Sequence, residues 1–304
     1  MNQPKADRRR FMIVHNPVAG RARRQVLDDV CGRLAAAGAI VTVEQADGAV
    51  ADRHIVAEAR RSGNYDVIVA AGGDSTIRGV SSELAGSELP LGIIPIGTGN
   101  VIAEEIGLQR KASAIADCLL HGTAVAVTPG LANGQRFLAM TSAGFDVDVL
   151  SRLDMDWKHR IGKLAYGWPI LSRLSQPPRP FEVVIDGKVR TCTWVIVTKV
   201  AHYGGGFVIA PQQQLSASTF HALVVTATTR REMAGVLIAI ASGRANQHPL
   251  IEIIPCGSAN ISADGVPVQM DGEPCGGSPL NVTLDTARLW LIVPPASVSL
   301  ENLQ

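Results

Sequence analysis

The sequence predicts two folds in series: an α/β domain built on a parallel sheet, then an antiparallel β domain. Three observations lead there. In the first 125 residues, short and almost wholly apolar runs alternate with longer amphipathic ones. Strands buried on both faces read as continuous apolar runs, and the helices between them cover a parallel sheet. After residue 125 the pattern changes to short strands punctuated by Asn133-Gly134, Asp186-Gly187 and Asp264-Gly265, pairs that favour two-residue hairpin turns. Hydrophobic residues make up 46% of the 304 and charged residues 18%, ample for buried cores and too apolar for a disordered chain.

Residues 11–15 are an apolar run closed by Asn16-Pro17. Residues 21–37 have helical spacing, with Val26, Val30, Leu34 and Ala37 on one face and Gly38 placed to end the helix. Residues 40–43 read as a strand and 54–61 as a helix. Residues 66–71 are a buried strand broken by Gly72-Gly73, and 75–84 a helix. Residues 91–96 form another buried strand before Gly97-Thr98-Gly99-Asn100, and short helices over 101–106 and 112–121 complete this half. Beyond it, 125–131 and 136–141 read as a hairpin about Asn133-Gly134. Strands follow at 181–185, 193–199, 207–210, 219–227, 250–255 and 281–284, with helical interruptions near 148–175 and 231–242. The last strand, 288–293, is apolar enough to be central.

Composition narrows the function. A net charge of +1, with basic residues in small clusters, argues against a nucleic-acid partner. The five cysteines are widely spaced and form no Cys-x-x-Cys pair, which suggests reduced thiols in a cytoplasmic protein rather than zinc or disulfides. The first apolar run is too short for a signal peptide, and no run approaches 18 apolar residues. Membrane contact is therefore expected to be peripheral, at the inner face. A homodimer is compatible with the sequence but not specified by it.

Three strands of the first half end in glycine loops, and in a parallel sheet the ligand sits beyond the carboxyl ends of the strands. The loops are Asn16-Pro17-Val18-Ala19-Gly20, leading to Arg21, Arg23 and Arg24; Gly72-Gly73-Asp74-Ser75-Thr76; and Gly97-Thr98-Gly99-Asn100. Glycine lets backbone N–H groups approach a phosphate, and a helix N-terminus favours its charge. Asp74 is an acid among such donors, where a cation or a hydroxyl would justify it; Arg23 is placed to neutralise phosphate charge. Each loop alone reads as a turn or a cap; three together read as a phosphate site. The Walker pattern and the dinucleotide fingerprint are both absent.

These motifs resemble the diacylglycerol kinase catalytic family, which includes bacterial lipid kinases and sphingosine and ceramide kinases and is distantly similar to NAD kinases. The carriers, in order, are Asn16-Pro17-x-x-Gly20, Gly72-Gly73-Asp74-Ser75-Thr76 and Pro95-x-Gly97-Thr98-x-Asn100. Gly144-Phe145-Asp146-x-Asp148-Val149, Gly162-Lys163-Leu164-Ala165-Tyr166, Tyr203-Gly204-Gly205-Gly206-Phe207-x-x-Ala210-Pro211 and Asp271-Gly272-Glu273 follow. The resemblance covers nearly the whole chain. It implies a nucleotide held between an α/β domain (1–125, with the terminal strand returning over 287–304) and a β-sandwich substrate domain (126–286). It implies ATP and Mg²⁺, with Asn16, Gly20, Arg23, Gly72, Gly73, Ser75, Thr76, Gly97, Thr98 and Asn100 around the nucleotide and Asp74 at the phosphates and the metal. It makes Asp271 the general base on the substrate hydroxyl, Glu273 its support, and Asp148 a contact for the lipid headgroup. Read without the resemblance, Asp271-Gly272 is a hairpin turn.

The activity so implied is transfer of the γ-phosphoryl group of ATP to a hydroxyl of diacylglycerol or a related amphiphilic lipid, in phospholipid metabolism. Residues 161–174 carry Leu164, Tyr166, Trp168, Ile170, Leu171 and Leu174, which suit lipid entry or a helix core, with Lys158, Arg160 and Lys163 near for anionic headgroups. Departures from the family motivate a second reading, a catalytically impaired nucleotide- or lipid-binding homologue. Ser75 stands where glycine is usual, which would cost about 1–2 kcal/mol if φ must be positive. Val101 and Glu104 replace the usual residues after the third loop. Residues 215–219 lack the acidic pair that holds a structural Mg²⁺, so no metal is expected there. NAD kinase is a third reading, disfavoured because no Asn-Glu pair follows the glycine loops.

Overall fold

The computed structural model describes residues 4–5, 7–17, 24–46, 48–153, 165, 167–204, 206–262, 265–277 and 279–295. The chain divides into two compact units, Met1–Pro129 with Thr286–Gln304, and Gly130–Asp285.

The first unit opens on β1 (Arg10–His15), α1 (Arg24–Ala36), β2 (Ile40–Gln45), α2 (Ala49–Ser62), β3 (Val67–Gly72) and α3 (Asp74–Leu84). It continues with β4 (Leu91–Pro95), α4 (Val101–Glu105), α5 (Ala112–His121) and β5 (Thr123–Val127). β3 and β4 are buried at every residue, as their unbroken apolar runs require, whereas β2 is mostly exposed. β1 pairs in parallel with β2 on one side and β3 on the other, so the winding reverses between β1 and β3. α1 packs on α5, and α2 on α3. With right-handed crossovers these pairs cover opposite faces of the sheet.

The second unit is antiparallel. Its first sheet contains β6 (Gly130–Ala132), β7 (Gln135–Phe137), β9 (Phe181–Ile185), β10 (Lys188–Cys192), β16 (Ala259–Ile261) and β19 (Leu280–Leu284). Its second contains β8 (Met140–Gly144), β11 (Trp194–Thr198), β14 (Phe220–Val225), β15 (Ile251–Cys256), β17 (Pro267–Met270) and β18 (Glu273–Gly277). Their inner faces meet in one core, where Phe137 of the first sheet stacks on Phe220 of the second at 5.9 Å. Outside it lie α6 (Phe145–Leu150), α7 (Gly167–Leu174), the small hairpin of β12 (His202–Tyr203) and β13 (Phe207–Val208), and α8 (Arg230–Ala241). Thr229 and Glu232 form a reciprocal capping box that starts α8. The final strand, β20 (Leu289–Val293), returns to the first sheet, parallel to β4 and antiparallel to β5, giving the order β2-β1-β3-β4-β20-β5.

A parallel-stranded first half and an antiparallel second half are thus as the sequence predicts, and the second is a sandwich, as the resemblance implies. One expected hairpin is different. Residues 125–131 are not one strand, because Pro129 cannot donate to a ladder and the chain changes unit there. Residues 136–141 likewise split between β7 and β8, which belong to opposite sheets. Asn133-Gly134 and Asp186-Gly187 turn with both residues at positive φ, as their residue types favour. The pair at 264–265 lies partly outside the described residues. Cys118, Cys192 and Cys256 are buried free thiols, with burial raising each to about 12.

Candidate functional site

The loops after β1, β3 and β4 leave the sheet at one edge, beside the point where the winding reverses. Ligands bind at such a reversal. Gly20 and Arg23 of the first loop lie outside the described residues, and so do Lys158, Arg160 and Lys163. Asn16 continues β1, its N–H donating to the Ala71 carbonyl at 3.1 Å.

The second and third loops are clasped together. Gly97 N–H donates to the Gly72 carbonyl at 3.0 Å, and a Cβ on Gly97 would stand 2.4 Å from Gly73 Cα, so these two backbones touch only because Gly97 carries no side chain. Asp74 completes the clasp. Its carboxylate accepts from Asn100 N–H at 2.9 Å and Val101 N–H at 2.8 Å, capping α4 from another part of the chain. Asn100 takes a left-handed conformation at φ 55°, and its side-chain amide donates to the Gly97 carbonyl at 2.5 Å. Gly72 has no room for a Cβ, which would fall 2.2 Å from Thr76 Oγ1. Thr76 Oγ1 and Asn100 Oδ1 are buried without hydrogen-bond partners among the described residues. Thr98 and Gly73 are half-buried at the same edge.

Ser75 lies in the first turn of α3 and does not take positive φ, so the strain considered for a residue replacing glycine does not arise. Glu104 is neutralised by Arg110 at 3.0 Å, and Arg110 also donates to the Gly99 carbonyl at 3.0 Å. Arg110 braces the third loop. The sequence marks it only as a basic residue beyond α4, because the pairing needs the turn of the chain at Gly107.

In the second unit, Asp271-Gly272 is a hairpin turn between β17 and β18, with φ of 47° and 81°. The turn reading therefore holds, and the Asp271 side chain has a further role. It is buried, and its oxygens accept backbone N–H groups from Leu138 at 2.9 Å, Ala139 at 2.9 Å and Met140 at 3.0 Å. Glu273 is half-buried at the start of β18. Asp148, on α6, faces the buried Arg173 of α7 at 2.6 Å, and the Arg173 guanidinium also lies over the Phe145 ring.

Two further groups of this unit were not legible as functional in the sequence. Lys199 is fully buried, and its ammonium donates to the carbonyls of Ala217 and Thr219, in the stretch that lacks the acidic pair. Burial lowers it to about 8. Asp146, two residues before Asp148, is buried and hydrogen-bonded to Ser142 at 2.6 Å and Tyr203 at 3.1 Å; burial pushes it up to about 6.

Among the described residues, no group of three or more His, Cys, Asp or Glu is placed to hold a metal by itself. A hollow of about 680 Å³ lined by Arg10, Arg60, Arg61, Tyr65, Asp66 and Glu88 lies at the amino-terminal ends of β1, β3 and β4, opposite the glycine loops.

Comparison with known proteins bears on this arrangement. Residues 10–132 match the diacylglycerol kinase catalytic domain, and residues 139–294 match the YegS C-terminal NAD kinase beta sandwich-like domain. The chain belongs to the diacylglycerol kinase catalytic family. A diacylglycerol kinase of Mycobacterium tuberculosis is 29% identical over 253 residues, covering 80% of this chain and 81% of its own. A Pseudomonas aeruginosa protein named "Probable lipid kinase YegS-like" is 30% identical over 268 residues, 84% of each. A crystal structure of a diacylglycerol kinase from Bacillus anthracis shares the fold, with a TM-score of 0.76 and 24% identity over 96% of this chain and 99% of that one. The kinase family's two domains thus match the two kinds of sheet found here, and the glycine loops lie within the first.

Proposed function

We propose that this family member transfers the γ-phosphoryl group of ATP, with Mg²⁺, to a hydroxyl of diacylglycerol or a related amphiphilic lipid. The observation that carries the reading is the clasp of Gly72, Gly73 and Asp74 on Gly97 and Asn100 at the ligand-binding edge of the sheet. Phosphoryl transfer asks a protein for position and charge neutralisation more than for covalent chemistry. The clasp offers bare backbone at Gly73, and a Thr76 hydroxyl and an Asn100 carbonyl oxygen that have no partner among the described residues.

The residues fit the metal as a shared ligand. Each Asp74 oxygen accepts one backbone N–H, which fixes the carboxylate at the carboxyl-end edge of the sheet, beside Gly99 and Asn100. Mg²⁺ is commonly held by one or two carboxylates together with substrate phosphates. Asp74 would hold it in that way, and the ion would offset phosphate charge. Asn16, Gly20, Arg23, Gly97, Thr98 and Ser75 complete the proposed nucleotide set.

In the second unit, Asp271 is the proposed acceptor-side base. Its oxygens are held by the N–H groups of Leu138, Ala139 and Met140, which fix the direction of the carboxylate at the turn. A loose phosphoryl-transfer transition state asks little of a base. Glu273 is its proposed support. Asp148, still partly exposed beside Arg173, is the proposed headgroup contact.

Peripheral membrane contact is supported by four exposed apolar side chains. Trp168 and Leu171 on α7, Ile238 on α8 and Phe207 on β13 sit on elements that pack on one another, with exposed Arg230 and Arg231 opening α8. The reason for an impaired homologue weakens where Ser75 is unstrained and Lys199 supplies a positive charge beside residues 217–219. The test is whether the purified protein, with Mg²⁺, moves the γ-phosphate of ATP to dioleoylglycerol in mixed micelles.

A further inference from the structure

A buried polar chain joins α6 to the Asp271-Gly272 turn. Gly272 N–H can only donate, and it donates to Gln269 Oε1 at 2.8 Å. The Gln269 amide nitrogen must then point the other way, and it donates to Ser142 Oγ at 2.7 Å. Ser142, accepting there, gives its single proton to Asp146 at 2.6 Å. Asp146 also accepts from Tyr203, at the start of the glycine-rich hairpin, at 3.1 Å. Every donor direction agrees with an ionised Asp146. Ser142, Gln269 and Asp146 are all buried, so no bulk water replaces a missing partner. β8 and β17 hold the chain together, with Ser142 opposite Gln269 and Thr141 Oγ1 donating to the Gln269 carbonyl at 2.6 Å.

We propose that Asp146 is a positioning residue: through Ser142 and Gln269 it orients the Gly272 N–H and so sets the turn that presents Asp271 and Glu273. The functional half of this inference rests on the lipid-kinase reading; the structural half does not. Both bonds end on Asp146 Oδ2, and a proton on Oδ1, which has no partner among the described residues, makes Oδ2 a weaker acceptor and loosens its hold on the Ser142 proton. Ser142 can then rotate, and the Gln269 amide loses the partner that fixes its direction. The charged side chains on the elements packed against α6 are Arg173, already paired with Asp148, and Glu273. Burial raises Asp146 to about 6, which puts the change within reach of ordinary buffers.

The test is amide hydrogen exchange of the full-length protein, read at residues 269–273. Ser142→Ala is expected to lower the Gly272 protection factor at least tenfold while the β11–β14 ladder is unchanged, and Ser142→Thr, which keeps the hydroxyl, is expected to restore it. Asp146→Asn, the variant to use if Ser142→Ala does not fold, is expected to lose protection at pH 7.5 and match the wild type at pH 5. In the micelle assay Ser142→Ala is expected to lower kcat about tenfold with the KM for ATP within twofold. Unchanged Gly272 protection in Ser142→Ala, or in Asp146→Asn at pH 7.5, overturns the proposal. A wild type that phosphorylates no lipid overturns the functional reading alone, because the exchange measurement needs no activity.

Discussion

The Asp74 carboxylate accepts from the backbone N–H of Asn100 at 2.9 Å, so an acid at the start of α3 fixes the loop after β4. With its second bond, to Val101 N–H, it also caps α4. Loss of a capping side chain costs about 1 kcal/mol, range 0.5–2. Asp74→Ala is therefore expected to lower unfolding free energy by about that amount and to weaken Mg·ATP binding at least tenfold. Denaturant unfolding and calorimetric titration measure the two.

The meeting of Gly97 and Gly73 makes a sharper steric test. A Cβ at Gly97 stands 2.4 Å from Gly73 Cα, where backbone meets backbone. Gly97→Ala is expected to destabilise by about 1–3 kcal/mol, the usual effect of overpacking. Ser75→Gly has the opposite logic. It places glycine in a helical turn that needs no positive φ, and is expected to cost about 0.5 kcal/mol or less and leave turnover within twofold. A large gain in turnover for Ser75→Gly contradicts the helical account of that residue.

Lys199 predicts a pH dependence. Burial depresses it from 10.5 to about 8, so between those values the unfolded chain binds the proton that the folded chain has released. Stability then rises with pH across that window, and below about 8 the penalty for burying the charge is present in full. Lys199→Met is expected to flatten this rise in urea midpoints between pH 8 and 10. Its loss of two carbonyl contacts, to Ala217 and Thr219, is expected to lower the midpoint at pH 7.

The apolar surface of α7 predicts a separable membrane effect. Trp168 is 77% exposed and Leu171 64%. Trp168→Ala with Leu171→Ala is expected to reduce co-sedimentation with anionic vesicles at least threefold, while activity on a short-chain soluble diacylglycerol stays within twofold. Equal sedimentation of wild type and variant contradicts membrane contact through this face.

Much of the architecture was legible because local chemistry carries it. Residues 67–72 form a wholly apolar strand, buried on both sides, and Asn133-Gly134 and Asp186-Gly187 turn as residue pairs tolerant of positive φ must. The edge where the glycine loops gather also follows from strand order alone. What stayed hidden depends on long-range register. Pro129 divides one apparent strand between two units, and nothing local says that the pieces part. Gln269 reaches Ser142 across 127 residues, and Arg110 meets Glu104 only after a turn at Gly107. Lys199 reads only as the end of a strand until the carbonyls of 217 and 219 close on it.

The most direct measurement is incubation of the purified protein with γ-labelled ATP, Mg²⁺ and mixed lipid micelles, with label read in the organic phase. The account expects a labelled lipid, abolished by Asp74→Ala and reduced at least a hundredfold by Asp271→Asn. ATP binding without label in any diacylglycerol or related lipid alcohol, or label undiminished in both variants, contradicts it.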